Sequence, residues 1–142
     1  MAEERTYFAV GEEATLSRTI QIADIESFAR ISGDDNPIHL DDAYASSTRF
    51  RGRIAHGMLV AGLIAAVLGT KLPGPGAIYL SQQLRFLAPV FPGDTVTARA
   101  KVTEWDVAKG RVSLSTEVVN GKGVSVITGE ARLVMQSFLK GQ

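Results

Sequence analysis

A run of apolar residues in the middle of the chain is its strongest pattern. The segment from Gly57 to Leu68 reads GMLVAGLIAAVL and contains no charged or polar side chain. It is rich in Ala, Leu and small residues, which favours a helix buried on all sides over a strand. A membrane-spanning helix needs about 20 apolar residues, so we expect this shorter helix to lie inside protein. We predict that it stops at Gly69, where the chain can turn left-handed, and that Pro73 and Pro75 prevent its continuation.

Shorter patterns precede this helix. Alternation within Tyr7 to Ile20 predicts a strand after a short lead-in. Asp24 is predicted to cap a helix that continues through Ile31. The Gly, Asp, Asn and Pro residues of Ser32 to Pro37 predict a turn, and Asp41 is predicted to cap a second short helix. The basic segment from Thr48 to Arg53 is predicted to be a loop.

After Gly76 the pattern changes to the two-residue period of strands. The first predicted strand has an apolar face formed by Ile78, Leu80, Leu84, Phe86 and Val90. Three more alternating segments follow within residues 95–135, and Asn120 to Gly123 predicts a hairpin turn. We therefore predict an α+β fold in which a four-stranded meander and the N-terminal strand curl around the buried helix. An open sheet edge would favour pairing with a second copy.

Composition and charge narrow the possible functions. The 142 residues, 45% of them hydrophobic, are enough for one core, so we predict a single domain over residues 1–142. Fifteen basic and fifteen acidic residues balance, so neither nucleic acid nor a membrane is an expected partner. The absence of cysteine excludes disulfides and thiolate chemistry. With no apolar run directly after Met1 to Arg5, no signal peptide is predicted, and we expect a cytoplasmic protein.

The candidate chemistry lies ahead of the predicted helix. Asp34 and His39 flank Pro37, and a tight turn there can direct both side chains at one point. A carboxylate and an imidazole that share one water can act as an acid/base pair near neutral pH. Taken alone, the same residues also fit a turn of solvated polar side chains. Composition does not decide between these interpretations.

The motif as a whole has a specific resemblance. Phe28 to His39 reads FARISGDDNPIH, Tyr44-Ala45 and His56-Gly57 follow, and Pro89 to Asp94 reads PVFPGD. This pattern closely resembles the hydratase-2 motif of the MaoC-like (R)-specific enoyl-CoA hydratases, which have the hot-dog fold. The resemblance extends from about Asp24 over most of the remaining chain, and its most specific part is Gly-Asp-x-Asn-Pro-x-His.

The resemblance implies a reaction and a role for each matching residue. It implies reversible hydration of trans-2-enoyl-CoA to (R)-3-hydroxyacyl-CoA by a homodimer, without a metal or redox cofactor. Asp34 and His39 would hold and activate the water, and Asn36 would orient the substrate or support the pair. The backbone N–H of Gly57 would stabilise the thioester oxygen as negative charge develops there. Some family members carry a hydroxyl on the central helix, where this chain has Ala61, Gly62, Ala65 and Ala66.

Several alternatives stay open at this stage. A (3R)-hydroxyacyl-acyl carrier protein dehydratase subunit and a hot-dog thioesterase have the same fold, although thioesterases commonly carry an acid on the central helix. A non-catalytic acyl-thioester binder, or an inactive partner in a heterodimer, would not require both Asp34 and His39. A metal site built from His39, His56 and a carboxylate has only weak support from spacing. The arginines at positions 49, 51 and 53 suit either coenzyme A phosphates or a solvated loop. Neither the acyl chain length nor the pathway follows from the sequence.

Overall fold

Alternating apolar positions in the second half of the chain build most of one antiparallel sheet. The computed structural model describes residues 3–139. The prediction of no signal peptide rests partly on residues 1 and 2, which lie outside the described residues. In chain order the elements are β1 (Glu13–Thr19), α1 (Ile22–Ser32), α2 (Pro37–Leu40), α3 (Asp42–Ser46), α4 (Gly57–Thr70), β2 (Ala77–Phe86), β3 (Thr95–Asp106), β4 (Arg111–Asn120), β5 (Ser125–Met135) and a closing 3-10 turn (Gln136–Phe138).

The sheet has five strands in the order β1-β3-β4-β5-β2, and α4 packs against four of them. This confirms the predicted curled antiparallel sheet around a central helix. The predicted four-stranded meander is wrong in one respect, because β2 pairs with β5 instead of β3. The connection over residues 87–94 contains Pro89 and Pro92, which lack backbone donors, and the segment crosses the fold instead of forming a hairpin. Strand β2 is consequently one edge of an open sheet.

The predicted apolar face of β2 is only partly correct. The register shifts between Tyr79 and Ser81, so Leu80 is an extra residue and the alternation reverses at that point. Ile78 and Leu80 are therefore exposed, and Gln82 faces Ala131 on the core side. The Gln82 amide donates to the buried Thr116 hydroxyl at 3.1 Å and to the Glu130 carbonyl at 3.1 Å. A polar side chain is stable there because its hydrogen bonds are made within the sheet.

The central helix α4 is longer and less enclosed than predicted. It ends at Thr70, so Gly69 is helical and the predicted stop there is wrong. The helix ends when the chain approaches Pro73, with the Lys71 N–H bonded to the Val67 carbonyl. Its inner face is buried, but Met58, Gly62 and Ala65 form an exposed stripe. The prediction of burial on all sides is therefore wrong for the single chain, because the open sheet covers only one side of the helix.

No helix within the described residues is long and apolar enough to cross a membrane. The cytoplasmic location expected from composition remains a prediction.

The segment before α4 contains one more helix than predicted. Asp24 is the third helical residue of α1 instead of its N-cap, and its carboxylate accepts the Gln21 N–H at 2.8 Å in a capping box. The N-terminal strand is also shorter than predicted, covering Glu13–Thr19. The added element is the single turn α2, which lies between the predicted turn and the predicted helix α3. This turn carries His39 and therefore determines where the His39 side chain lies in the site.

Candidate active site

The end of α1 positions Asp34. Gly33 has a left-handed φ of 81° and donates its N–H to the Ala29 carbonyl, which terminates the helix. The Ser32 hydroxyl donates to the Phe28 carbonyl at 2.7 Å and accepts the Asp34 N–H at 3.1 Å. These short-range bonds turn the chain sharply, so Asp34 lies at the surface immediately after the helix.

The start of α2 positions His39. Asn36 is the N-cap of this turn and accepts the Ile38 N–H through Oδ1 at 3.2 Å, and Pro37 occupies the first helical position. The His39 side chain is 8% exposed, and its Nδ1 lies 2.7 Å from the Ile54 carbonyl oxygen. A carbonyl only accepts, so Nδ1 carries the proton and the neutral ring keeps its lone pair on Nε2. His39 is therefore oriented as a proton acceptor.

The start of α4 completes the arrangement. Gly57 is the first helical residue, so its N–H has no intrahelical acceptor, and the first turn contains no acidic residue. The helix dipole therefore presents an uncompensated positive end at this point. A Cβ at position 57 would lie 2.7 Å from two ring atoms of Phe86, so a glycine fits the close approach of that ring.

These elements converge on one cavity. A carboxylate oxygen of Asp34 and one ring nitrogen each of His39 and His56 lie within 4.8 Å of one another. The cavity has a volume of about 440 Å³, and its other lining residues are mostly apolar, including Phe50, Ile54, Gly57, Met58, Phe86, Leu87, Val90 and Ile127. The imidazole and the free helix N-terminus thus lie in largely apolar surroundings, where electrostatic interactions are stronger than in water, and the exposed Asp34 carboxylate approaches them from the surface.

The convergence of both histidines also allows a test of the metal alternative. The His39 and His56 rings are stacked with centroids 3.8 Å apart and an interplanar angle of 29°. Metal ions bind imidazole through a lone pair in the ring plane. In stacked rings the in-plane lone pairs of the two imidazoles do not point at a common position. An ion in the plane of one ring would therefore lie outside the plane of the other. The geometry therefore favours an acid/base pair over a metal centre.

The cavity and the fold agree with the comparisons to known proteins. The sequence model of the family described as "MaoC like domain" matches residues 8–125. The chain belongs to this family. It is 52% identical over 126 residues to an (R)-specific enoyl-CoA hydratase of Rhodospirillum rubrum, covering 88% of this chain and 86% of the relative. It is 32% identical to a mitochondrial 3-hydroxyacyl-[acyl-carrier-protein] dehydratase of Arabidopsis thaliana, covering 94% of this chain and 81% of that one.

A solved structure extends the similarity to three dimensions. The (R)-hydratase of A. caviae involved in PHA biosynthesis superimposes with a TM-score of 0.89 at 43% identity, covering 92% of this chain and 99% of that one. The hot-dog fold expected from the motif is therefore confirmed.

The predicted residues of this MaoC-like chain do not all line the cavity. Asp34, His39 and Gly57 do. Asn36 is exposed, caps α2 and lies outside the lining, so its role in orienting the substrate remains a prediction.

The three loop arginines have different surroundings. Arg49 lines the cavity, with its guanidinium 4.9 Å from the Phe50 ring centroid. Arg53 is only 15% exposed and pairs with Asp42, Nε to Oδ1 at 2.9 Å. Arg51 is exposed and has a φ of 59°. Arg49 is therefore the member of the set that can contact a bound molecule, while Arg53 connects the loop to α3.

Sequence reasoning missed two residues of this site. The spacing of the histidines provided only weak support for His56 as a metal ligand and did not predict its contacts with His39 and the Asp34 main chain. Phe86 was assigned to a core face, yet it is half exposed and packs against Gly57. The signal for His56 was its place directly before Gly57, but its partner is a backbone carbonyl, which leaves no mark in the sequence.

Proposed function

We propose that this chain catalyses the reversible addition of water to trans-2-enoyl-CoA, giving (R)-3-hydroxyacyl-CoA. The observation that carries the proposal is the approach of the Asp34 carboxylate and the His39 ring beside the start of α4, in one cavity that also includes Gly57. The activity named for the Rhodospirillum rubrum relative, at 52% identity, supports the same reaction.

The proposed chemistry uses groups of this chain alone. A water bound between the Asp34 carboxylate and His39 Nε2 loses a proton to this pair as its oxygen adds to the β-carbon of the enoyl thioester. Negative charge moves to the thioester oxygen, which accepts the Gly57 N–H at the positive end of α4. A proton then passes from the pair to the α-carbon, so the elements of water are added across the double bond and the pair is restored.

The first prediction concerns the catalytic pair. Replacing Asp34 with Asn removes the charge at nearly constant shape, and His39→Asn keeps a donor for the Ile54 carbonyl while removing Nε2. Each change should lower kcat for crotonyl-CoA hydration by about 100-fold to 10,000-fold, the usual contribution of a general acid or base. The measurement is the loss of enoyl-thioester absorbance, with His39→Ala as a third variant and circular dichroism to show that each variant is folded.

A free-thiol assay run in parallel separates the alternatives. Hydration releases no thiol, whereas a thioesterase would release coenzyme A. Thiol release by the wild-type chain, or wild-type hydration by the folded Asp34→Asn variant, would contradict the proposal. Hydration of crotonyl-acyl carrier protein in preference to crotonyl-CoA would favour the dehydratase-subunit alternative.

The second prediction concerns Gly57. In Gly57→Ala the new methyl group would meet the Phe86 ring at 2.7 Å, so either the ring or the start of α4 must move. A shift of about 1 Å at a reacting group can cost roughly 100-fold in rate, and we expect kcat to fall by about 10-fold to 100-fold. Adding Phe86→Ala should recover part of the loss, because it removes the atoms in collision.

Gly69→Ala is the matched control for this variant. It adds the same methyl group to the same helix, where no atom lies within 4 Å of the new Cβ. Its kcat should equal that of the wild type. Equal activity of Gly57→Ala and the wild type would show that the N–H of residue 57 keeps its position, and the proposed importance of the glycine would be wrong.

The third prediction concerns the carrier. Within residues 3–139 the Arg49 guanidinium forms no ion pair, and it lines the cavity. We infer that it contacts a phosphate of coenzyme A. Arg49→Ala should then raise KM for crotonyl-CoA by about tenfold, the value of one charge-assisted hydrogen bond of about 1.4 kcal/mol. KM for crotonyl-pantetheine, which lacks the nucleotide phosphates, should not change.

Arg51→Ala is the control for loss of a positive charge from the same exposed loop, and it should leave both KM values unchanged. An equal increase for both substrates in Arg49→Ala would instead place the arginine against the acyl or pantetheine part.

The fourth prediction concerns assembly. We propose that two copies of the chain pair through the free edge of β2, as a symmetric dimer that hides an otherwise unpaired strand. This strand exposes Ile78, Tyr79, Leu80 and Phe86 in the single chain. Sedimentation of the wild type should give twice the 15.2 kDa chain mass. Ile78→Lys should shift it to the monomer, because pairing would then bury a lysine on each strand without a fixed partner.

Val107→Lys supplies the comparison, since Val107 is an equally apolar exposed residue in the turn between β3 and β4. It should leave the dimer intact. A monomeric wild type with full activity would contradict the proposed pairing.

A further inference from the structure

We propose that His56 is a positioning residue, which holds the Asp34 main chain and the His39 ring in register with the N-terminus of α4. The kinetic part of this inference rests on the proposed hydratase function. The structural part does not, because it depends only on contacts among residues of this chain. His56 is 2% exposed and is the N-cap of α4, directly before Gly57.

The turn that carries Asp34 depends on His56 for its connection to the interior. Residues 33–36 are exposed, and within the described residues their other hydrogen bonds reach no further than four positions along the chain. The exception is the bond between His56 Nε2 and the Asp34 carbonyl oxygen, which spans 22 positions at 2.9 Å. Short-range bonds fix the shape of a turn, but they do not fix where the turn lies relative to a distant helix. His56 supplies that constraint.

The same side chain also contacts the second member of the pair. Its ring contacts two others, stacked on His39 at 3.8 Å and tilted against Phe28 at 4.7 Å. The ring of His39 is fixed in its plane by the Ile54 carbonyl and on one face by His56. Because His56 also contacts the Phe28 ring, a rotation of His39 would disturb the packing of all three rings.

The main chain before His56 is itself well anchored. The Ala55 N–H donates to the Val90 carbonyl at 2.7 Å, which ties this segment to the connection between β2 and β3. The Ile54 N–H donates to the Ile38 carbonyl at 3.3 Å, next to His39. The segment over residues 54–57 therefore connects the acid, the base and the proposed oxyanion donor to one another.

The protonation of His56 follows from its acceptor. A carbonyl oxygen only accepts, so Nε2 must carry the proton, and the neutral ring keeps a lone pair on Nδ1. That Nδ1 atom is buried without a hydrogen-bond partner in the described part of the chain. An unpartnered buried nitrogen is unfavourable for stability. A phenylalanine would fill the space without this cost, so the histidine is explained by the bond that Nε2 makes.

Three substitutions separate the hydrogen bond from the packing. His56→Gln places an amide N–H near the position of Nε2, His56→Asn has an amide that is too short to reach, and His56→Phe keeps an aromatic ring without a donor. We expect Asn and Phe to lower kcat for crotonyl-CoA by about 10-fold to 100-fold, because a reacting group displaced by about 1 Å can cost roughly 100-fold in rate. KM should stay within about twofold, and Gln should recover most of kcat.

The recovery by Gln is the result that a purely structural role would not produce. Wild-type kcat in the folded Asn variant would overturn the proposal. A kcat in the folded Gln variant as low as in Asn and Phe would also overturn it, because the restored donor would then have no effect.

A second measurement needs no substitution and no activity. The chain contains only two histidines, so ¹⁵N-labelled imidazoles give two assignable sets of signals. At a pH where both rings are neutral, His39 should be the Nδ1–H tautomer and His56 the Nε2–H tautomer. A His56 ring protonated on Nδ1 could not donate to the Asp34 carbonyl and would overturn the proposal even if the variants failed to fold. Correct tautomers in an inactive protein would leave this inference standing and reject the proposed function.

Discussion

The hydrogen bond between the His56 ring and the Asp34 carbonyl is the contact on which the geometry of the site depends. It joins an exposed turn to the buried start of the central helix. Without it, the turn that carries the acid would be held only by the end of α1, whereas the base would still be fixed by the bond of its ring to the Ile54 carbonyl. A long-range bond to the turn is therefore needed to keep the two side chains at a constant separation.

The fold supplies the rigid half of this arrangement. Helix α4 packs its inner face on the sheet through buried aliphatic residues, so its first turn cannot move without disturbing the core. The polar half lies at the surface, because residues 33–37 are all exposed. The oxyanion donor is therefore on the buried helix and the acid is on a surface turn attached to it, so that water can reach the site from the side of the acid.

The sequence predicted those parts of the molecule whose causes are local. The apolar run of α4, the cap at Asp41 and the hairpin at Asn120 depend on neighbouring residues, and all three are confirmed. The errors arise where contacts between residues distant in the sequence determine the local structure. Gly69 stays helical although it lies next to a proline-containing turn, and the bulge at Leu80 reverses the faces of β2 because of its pairing with β5. The hydrophobic pattern of a short segment does not show such long-range contacts.

The same distinction between local and long-range causes applies to the candidate site. Asp34 and His39 were identifiable because a carboxylate and an imidazole in one specific motif carry chemical meaning. The structure brings them together through α2, an element that the turn pattern concealed. The contacts of His56 were not predicted, because its two partners are a main-chain oxygen and a ring from another element. A sequence records which side chains are present, but contacts to the backbone become visible only when the chain is folded.

The central helix shows why so few polar groups can serve this cavity. Of α4, only Gly57, Met58 and Val60 line it, and Ala61 and Ala65 do not. The lack of a hydroxyl further along the helix therefore removes nothing from the cavity as it exists in the single chain. Its polar side chains come from the segments before the helix, and its remaining walls are apolar. In such surroundings a buried imidazole or N–H has a larger electrostatic effect than in water, so a small set of groups is sufficient provided that each is held in place.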